Sequence, residues 1–189
     1  LEERYVRVNA APTALAGADQ TVCPGDVVRF DAGGSGDLDG DITGYTWRFS
    51  DGVTLEGAQV ERSFDTGGPV TVELSVADNS GLACGISTDS ARVLVNNTPV
   101  VDAGPDVTTQ LGAAHDVVDF DATGASDRDG QGLHLRWDYG DGLTGTGAVT
   151  RHRYSTPGTY TVTVEARDPT GLACGVGRDT AIVTALPRE

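Results

Sequence analysis

This chain carries one pattern twice, and that repetition limits its possible folds more than any other feature. Val28-Arg29-Phe30-Asp31-Ala32 returns as Val118-Asp119-Phe120-Asp121-Ala122, and Asp37-Leu38-Asp39-Gly40 returns as Asp127-Arg128-Asp129-Gly130. Tyr45-Thr46-Trp47-Arg48-Phe49-Ser50-Asp51-Gly52 is matched by Leu135-Arg136-Trp137-Asp138-Tyr139-Gly140-Asp141-Gly142. Gly81-Leu82-Ala83-Cys84-Gly85 recurs unchanged as Gly171-Leu172-Ala173-Cys174-Gly175. The offset holds at roughly 90 residues, the size of one small sandwich domain. Asn9-Ala10-Ala11-Pro12 opens the first copy and Asn96-Asn97-Thr98-Pro99 the second, so domains are expected at 9–95 and 96–187. Ala91-Arg92-Val93-Leu94-Val95 runs straight into the second start, and so short a junction restricts reorientation. Residues 1–8 include Tyr5-Val6-Arg7-Val8, placed before the first copy as Arg92 to Val95 is before the second. They are either the end of a preceding module or an N-terminal extension.

Alternation within each copy identifies strands. Val70, Val72, Leu74 and Val76 share one phase in the first copy, and Tyr160, Val162, Val164 and Ala166 share it in the second. Tyr45, Trp47 and Phe49 repeat at period two, as do Leu135, Trp137 and Tyr139, which assigns both tryptophans to cores and not to sugar-stacking platforms. Gly- and Asp-rich turns such as Asp51-Gly52 and Pro157-Gly158 punctuate these runs. The expectation is an all-β protein: two tandem immunoglobulin-like antiparallel β-sandwiches of about seven strands each.

Charge narrows the partners. The chain has 28 acidic against 13 basic residues, a net charge of −15, and every basic residue is arginine. Such a surface repels nucleic acid and anionic membranes and concentrates divalent cations. It contains no run of about 18 apolar residues, so no membrane insertion is expected in this segment. The first residues lack a signal-peptide pattern, and the chain is read as a fragment of something longer.

Trp137-Asp138-Tyr139-Gly140-Asp141-Gly142, His152-Arg153-Tyr154 and Pro157-Gly158-Thr159-Tyr160-Thr161-Val162 together resemble the W-D-F-G-D-G, H-x-Y and P-G-x-Y-x-V signature of PKD domains, relatives in architecture of fibronectin-type and immunoglobulin modules. The first copy departs from it: Arg48 and Ser50 replace the first Asp and Gly, Ser63-Phe64 replaces the His-containing pair, and Gly68-Pro69-Val70 replaces the Pro-Gly-x-Tyr turn. These departures put the turn geometry of the first copy in question. The resemblance implies a spacer, an adhesion or contact surface, or a substrate-engaging appendage of a secreted hydrolase, with function to be argued from sites.

The acidic loops are the candidate sites. Asp37-Leu38-Asp39-Gly40-Asp41 and Asp127-Arg128-Asp129-Gly130 offer alternate carboxylates around a glycine, which suits the oxygen shell of Ca²⁺ as well as ordinary turn chemistry. The resemblance to PKD modules of microbial collagenases implies calcium here and adds Asn9 and Asp78 in the first copy, Asn96 and Asp168 in the second. Of the three cysteines, Cys23 precedes the second strand and Cys84 lies in the last hairpin, so an intradomain Cys23–Cys84 disulfide fits the repeat and leaves Cys174 unpaired. The alternatives are three thiols, or Cys174 pairing between chains. Asn96-Asn97-Thr98 satisfies the glycosylation pattern, but Pro99 follows and it is set aside.

Catalysis finds no constellation. His115, His134 and His152 are scattered, and no G-x-S-x-G, H-E-x-x-H or C-x-x-C occurs. The expectation is therefore a non-catalytic spacer or scaffold of a larger secreted or surface protein, stiffened by calcium. It would be extracellular, at the cell surface or periplasmic, with neighbouring domains of the same polypeptide as partners. The rival is a protein- or polysaccharide-binding module, an adhesin or a hydrolase appendage, which predicts exposed aromatic residues. Tyr5 is the clearest aromatic outside the core phases.

Overall fold

A computed structural model describes residues 8–112 and 117–188. The chain divides after Val95 into two compact units. Among the described residues of the first, seven strands follow in order: β1 (Gln20–Val22), β2 (Val27–Asp31), β3 (Ile42–Phe49), β4 (Thr54–Glu56), β5 (Gln59–Ser63), β6 (Gly68–Asp78) and β7 (Ile86–Val95). The second has β8 (Val107–Gln110), β9 (Val117–Asp121), β10 (His134–Asp138), β11 (Thr144–Thr146), β12 (Val149–Arg153), β13 (Gly158–Arg167) and β14 (Val176–Leu186), with one 3₁₀ turn at Ala173–Gly175. Five strands form one sheet in the order β1-β7-β6-β3-β4, and β2 pairs with β5 to form the other layer. The second unit repeats this as β11-β10-β13-β14-β8 and β12-β9. Each unit is a sandwich.

The cores lie where period two places them. Trp47, Val72, Leu74 and Val76 are fully buried in the first unit, and Trp137, Val162, Val164 and Ala166 in the second. Phe30 packs on Trp47 at 5.6 Å between ring centroids, and Phe120 on Trp137 at 5.3 Å. A buried indole N–H needs an acceptor. Trp47 Nε1 donates to the Gly57 carbonyl and Trp137 Nε1 to the Gly147 carbonyl, both at 3.0 Å. Tyr5 and His115 lie outside the described residues, as does most of the segment 1–8.

One pairing decides the cysteines. β1 runs parallel to β7, with Val22 opposite Val95, so Cys23 sits beside the C-terminal end of β7. Cys84 precedes Ile86, the first residue of the same strand. Ten residues of strand hold these ends roughly 30 Å apart at about 3.3 Å per residue, against the 7 Å limit for bridged Cα atoms. The expected Cys23–Cys84 disulfide is therefore not formed. Cys84 is a free, exposed thiol, while Cys23 and Cys174 are both disulfide-bonded, which also corrects the unpaired state expected of Cys174.

Candidate functional site

The residues singled out in each copy converge at one end of each unit. In the first, the Asn9 amide donates to Asp78 Oδ2 at 2.8 Å, and the Ala10 N–H donates to Asp39 Oδ1 at 3.1 Å. The opening of the domain is thus tied both to the end of β6 and to the acidic loop. Asp37 Oδ1 accepts from the N–H groups of Asp39 and Gly40 at 2.9 and 2.8 Å, a side-chain turn that curls the loop. A register shift between Ile42 and Gly44 bends β3 beside it, and the Thr43 hydroxyl donates to the Asp78 carbonyl at 2.8 Å. Asn9, Asp39, Asn79, Ser80 and Leu82 line an open depression there.

The second unit rebuilds the corner. The Asn96 amide donates to Asp168 Oδ2 at 2.8 Å, and Asp127 Oδ1 accepts from the Asp129 N–H at 2.7 Å. Asn97 holds Asp129 twice, through its backbone N–H at 2.6 Å and its side-chain amide at 2.7 Å. Gln131 donates to Asn96 Oδ1 at 3.0 Å. The sequence reading missed Asn97 and Gln131, because Ala10 and Asp41 stand at the corresponding places and the repeat carries no sign of them. Asn96 is fully buried, so its glycosylation pattern presents no acceptor.

Two electrostatic features mark these corners. Asp78 is held below the usual carboxylate range by hydrogen bonds from Ser80 and Asn9. Burial pushes Asp168 upward, but hydrogen bonds from Thr170 and Asn96 outweigh it and the net shift is downward. Both stay ionised. Second, Asp37 Oδ2 and Asp127 Oδ2 are buried and have no hydrogen-bond partner, as is Gln131 Oε1. A buried, unsatisfied oxygen costs about 1–3 kcal/mol, and here it recurs at the same repeat position. The glycine closing the shared Gly-Leu-Ala-Cys-Gly segment is explained by the same packing: a Cβ at Gly85 or Gly175 would collide with the Asp78 or Asp168 carboxylate.

Among the described residues, no three His, Cys, Asp or Glu side chains gather closely enough to hold an ion by themselves. A cation would draw on Asp37, Asp39 and Asp78, or Asp127, Asp129 and Asp168, with amide oxygens of Asn9 or Asn96, backbone carbonyls and water completing the shell. These are hard oxygen donors, the set that suits Ca²⁺ and not zinc.

A second constellation closes the opposite layer of each sandwich. Arg62 lies across from Val28 and His152 across from Val118, so the repeat equates Arg62 with His152. His152 Nε2 meets Asp141 Oδ2 at 2.7 Å, and its ring stacks on Tyr139 at 4.1 Å and meets the Tyr154 ring edge-on at 4.7 Å. Arg62 does the same work by other means. Its guanidinium grips both Asp51 oxygens and covers the Phe49 and Phe64 rings at 4.4 and 4.8 Å. The residue replacing the family histidine is thus Arg62, and Ser63 corresponds to Arg153.

A family model described as PKD domain matches residues 9–94 and again residues 96–183. Over 96 residues the chain is 35% identical to Collagenase ColA of Clostridium perfringens (strain 13 / Type A), a match covering 50% of this chain and 8% of that protein. Over 75 residues it is 29% identical to a microbial collagenase of Vibrio alginolyticus, covering 40% of this chain and 9% of that protein. The chain therefore spans under a tenth of the length of these relatives. Among solved structures, the two-domain IG1 and IG2 segment of DIP-gamma aligns with a TM-score of 0.52 at 10% identity, covering 95% of this chain and 99% of that one. An I-band fragment of titin aligns at 0.58 and 13% identity, covering 95% and 67%. At such identities these two establish the fold alone. With the family model matched once in each of the two sandwiches, the chain belongs to the PKD domain family, as a tandem pair.

Proposed function

We propose that this chain is a non-catalytic spacer within a larger extracellular or surface protein, and that its two acidic corners take calcium. The observation that carries the calcium reading is the buried, unpartnered carboxylate oxygen of Asp37 and of Asp127, each in a corner that ties the first residues of its domain to the loop. A cation would satisfy that oxygen and tighten the start of each module. Disulfide-bonded Cys23 and Cys174 support an oxidising compartment. Among the described residues, no helix is long and apolar enough to cross a membrane. Every described Trp, Phe and Tyr is buried or half-buried, so aromatic surface is spent on the cores, which supports a spacer over a sugar-binding face.

The test is thermal unfolding in chelator and then in millimolar calcium. Extracellular-type sites bind at about 10⁻⁴–10⁻³ M. At ten times the dissociation constant, linkage supplies about 1.4 kcal/mol, a rise of roughly 5–10 °C for a domain of this size. Asp127→Asn with Asp129→Asn keeps an oxygen to accept the Asp129 N–H while removing charge, and is expected to abolish the second unit's rise. Identical melts with and without calcium would return these aspartates to turn chemistry.

The rival reading is a substrate-engaging appendage of a secreted hydrolase. The match to a region of a collagenase favours it.

A further inference from the structure

Cys84 and Cys174 occupy one position of the repeat in one environment. Each lies in the turn between the last two strands of its unit, where the Asn9 amide stands 3.8 Å from the Cys84 sulfur and the Asn96 amide 3.7 Å from that of Cys174. They differ in state: Cys174 is disulfide-bonded, whereas Cys84 is a free, exposed thiol. The second copy therefore shows that this turn accommodates a disulfide. The partner of Cys84 has to come from outside this chain's cysteines, since Cys23 and Cys174 are already bonded.

The topology says where such a partner would lie. The turn holding Cys84 flanks Asn9, so it marks the pole at which the chain enters the unit. The other cysteine position, Cys23, follows β1 beside Val95 and marks the pole from which the chain leaves. A cysteine at the exit pole of a module that comes before residue 1 would thus meet the entry-pole position of the first unit. Among the described residues, that pole also exposes apolar side chains. Val8 is 81% exposed, Leu38 in the acidic loop 94% and Leu82 beside Cys84 55%. In the second unit Arg128 stands in the place of Leu38, and Leu172, the counterpart of Leu82, is half-buried. Apolar side chains around a free thiol fit a protein surface, not a small soluble thiol.

We propose that Cys84 forms a disulfide with a cysteine at the exit pole of a further PKD-type module, N-terminal to this chain in the same polypeptide. This rests on the reading of the chain as part of a longer extracellular protein. The bond forms by two thiol–disulfide exchanges with a disulfide oxidant R–S–S–R. Cys84 sulfur first displaces one R–SH to give a mixed disulfide, and the sulfur of the upstream cysteine then displaces the second. Two protein thiols lose two electrons and two protons, and the oxidant leaves as two R–SH.

The full-length protein, purified without reductant and blocked with N-ethylmaleimide, is digested and its cross-linked peptides are mapped. The Cys84 peptide is expected joined to a cysteine upstream of Leu1, and Cys84→Ser is expected to leave that upstream cysteine open to maleimide. Maleimide on Cys84 in the full-length protein, a bond to any other cysteine, or a gene encoding no upstream cysteine overturns the proposal. None of these results touches the calcium melt, so the spacer reading stands or falls separately. With the 189-residue chain alone, one maleimide per native molecule is expected and none in Cys84→Ser.

Discussion

At the scale of single residues, the two modules solve one problem with different chemistry. An aspartate after the third strand of each sandwich needs a cation or donor, and an aromatic ring beneath it needs a cover. His152 supplies both in the second unit by hydrogen bonding and stacking. Arg62 supplies both in the first by a two-pronged ion pair and by lying over Phe49 and Phe64. The pairing with Arg62 also holds Asp51 below the usual carboxylate range. Asp51 is half-exposed, so the ion pair alone is worth little, and most of the contribution comes from packing and cation–π attraction. Arg62→Ala is expected to destabilise the first unit by about 1–2 kcal/mol. Trp47 fluorescence in a Trp137→Phe background reads that unit; an unchanged denaturation midpoint would show a merely solvated contact. This equivalence was hard to see in the sequence, because arginine and histidine share no motif and only strand register aligns them.

At the scale of elements, the strands were legible because side chains alternate faces at period two, a local property that any core-facing run must show. Turns were less so. After β10 the chain turns through Gly140 at φ +79°, where a Cβ would stand 2.6 Å from the Thr161 carbonyl oxygen. The first unit has Ser50 there, and no non-glycine residue among those described has positive φ, so its turn takes another path. Ser50 instead gives its N–H to the Thr71 carbonyl at 2.9 Å and accepts the Thr71 N–H on its hydroxyl at 3.2 Å. The departure from the family pattern at this position is thus matched by a real change of geometry. Gly140→Ser is expected to cost the second unit about 2–3 kcal/mol, from left-handed strain and the backbone clash together. Ser50→Gly in the first unit should move its midpoint by less than about 1 kcal/mol. Equal effects at the two sites would overturn the distinction.

At the scale of the whole molecule, acid is the sensitive variable. Asp51, Asp78, Asp141, Asp168 and Glu165 all have lowered proton affinities in the fold. For Asp141 burial works upward and is outweighed only by the His152 hydrogen bond, the Leu143 N–H and the attraction of His152 acting together, while for Glu165 the Arg167 and Arg178 contacts dominate. A carboxylate with a lower pKa in the folded than in the unfolded state stabilises above its unfolded value and loses that contribution as pH falls through its folded one. From pH 7 to about 5 the melting temperature should hold or rise slightly as the repulsion of a −15 chain eases. Below about pH 4 it should fall. A midpoint climbing steadily to pH 2 would mean that net repulsion, not specific carboxylate bonding, governs stability.

The sequence by itself determined the repeat, the strand phases, the two buried tryptophans and the two acidic loops. All of these follow from local periodicity and from residue types that recur at a constant offset. Only the tertiary structure decided which cysteines could bond, and what the corners leave unsatisfied. Cys23 and Cys84 look like partners along the chain, but the parallel docking of β1 on β7 sends them to opposite ends of one strand. The second oxygens of Asp37 and Asp127 look like any turn aspartate's, yet the way each loop folds against the domain's first residues buries them without a donor. Neither outcome is written in spacing, because both depend on where a strand crosses the sandwich and which groups that crossing shuts away from water.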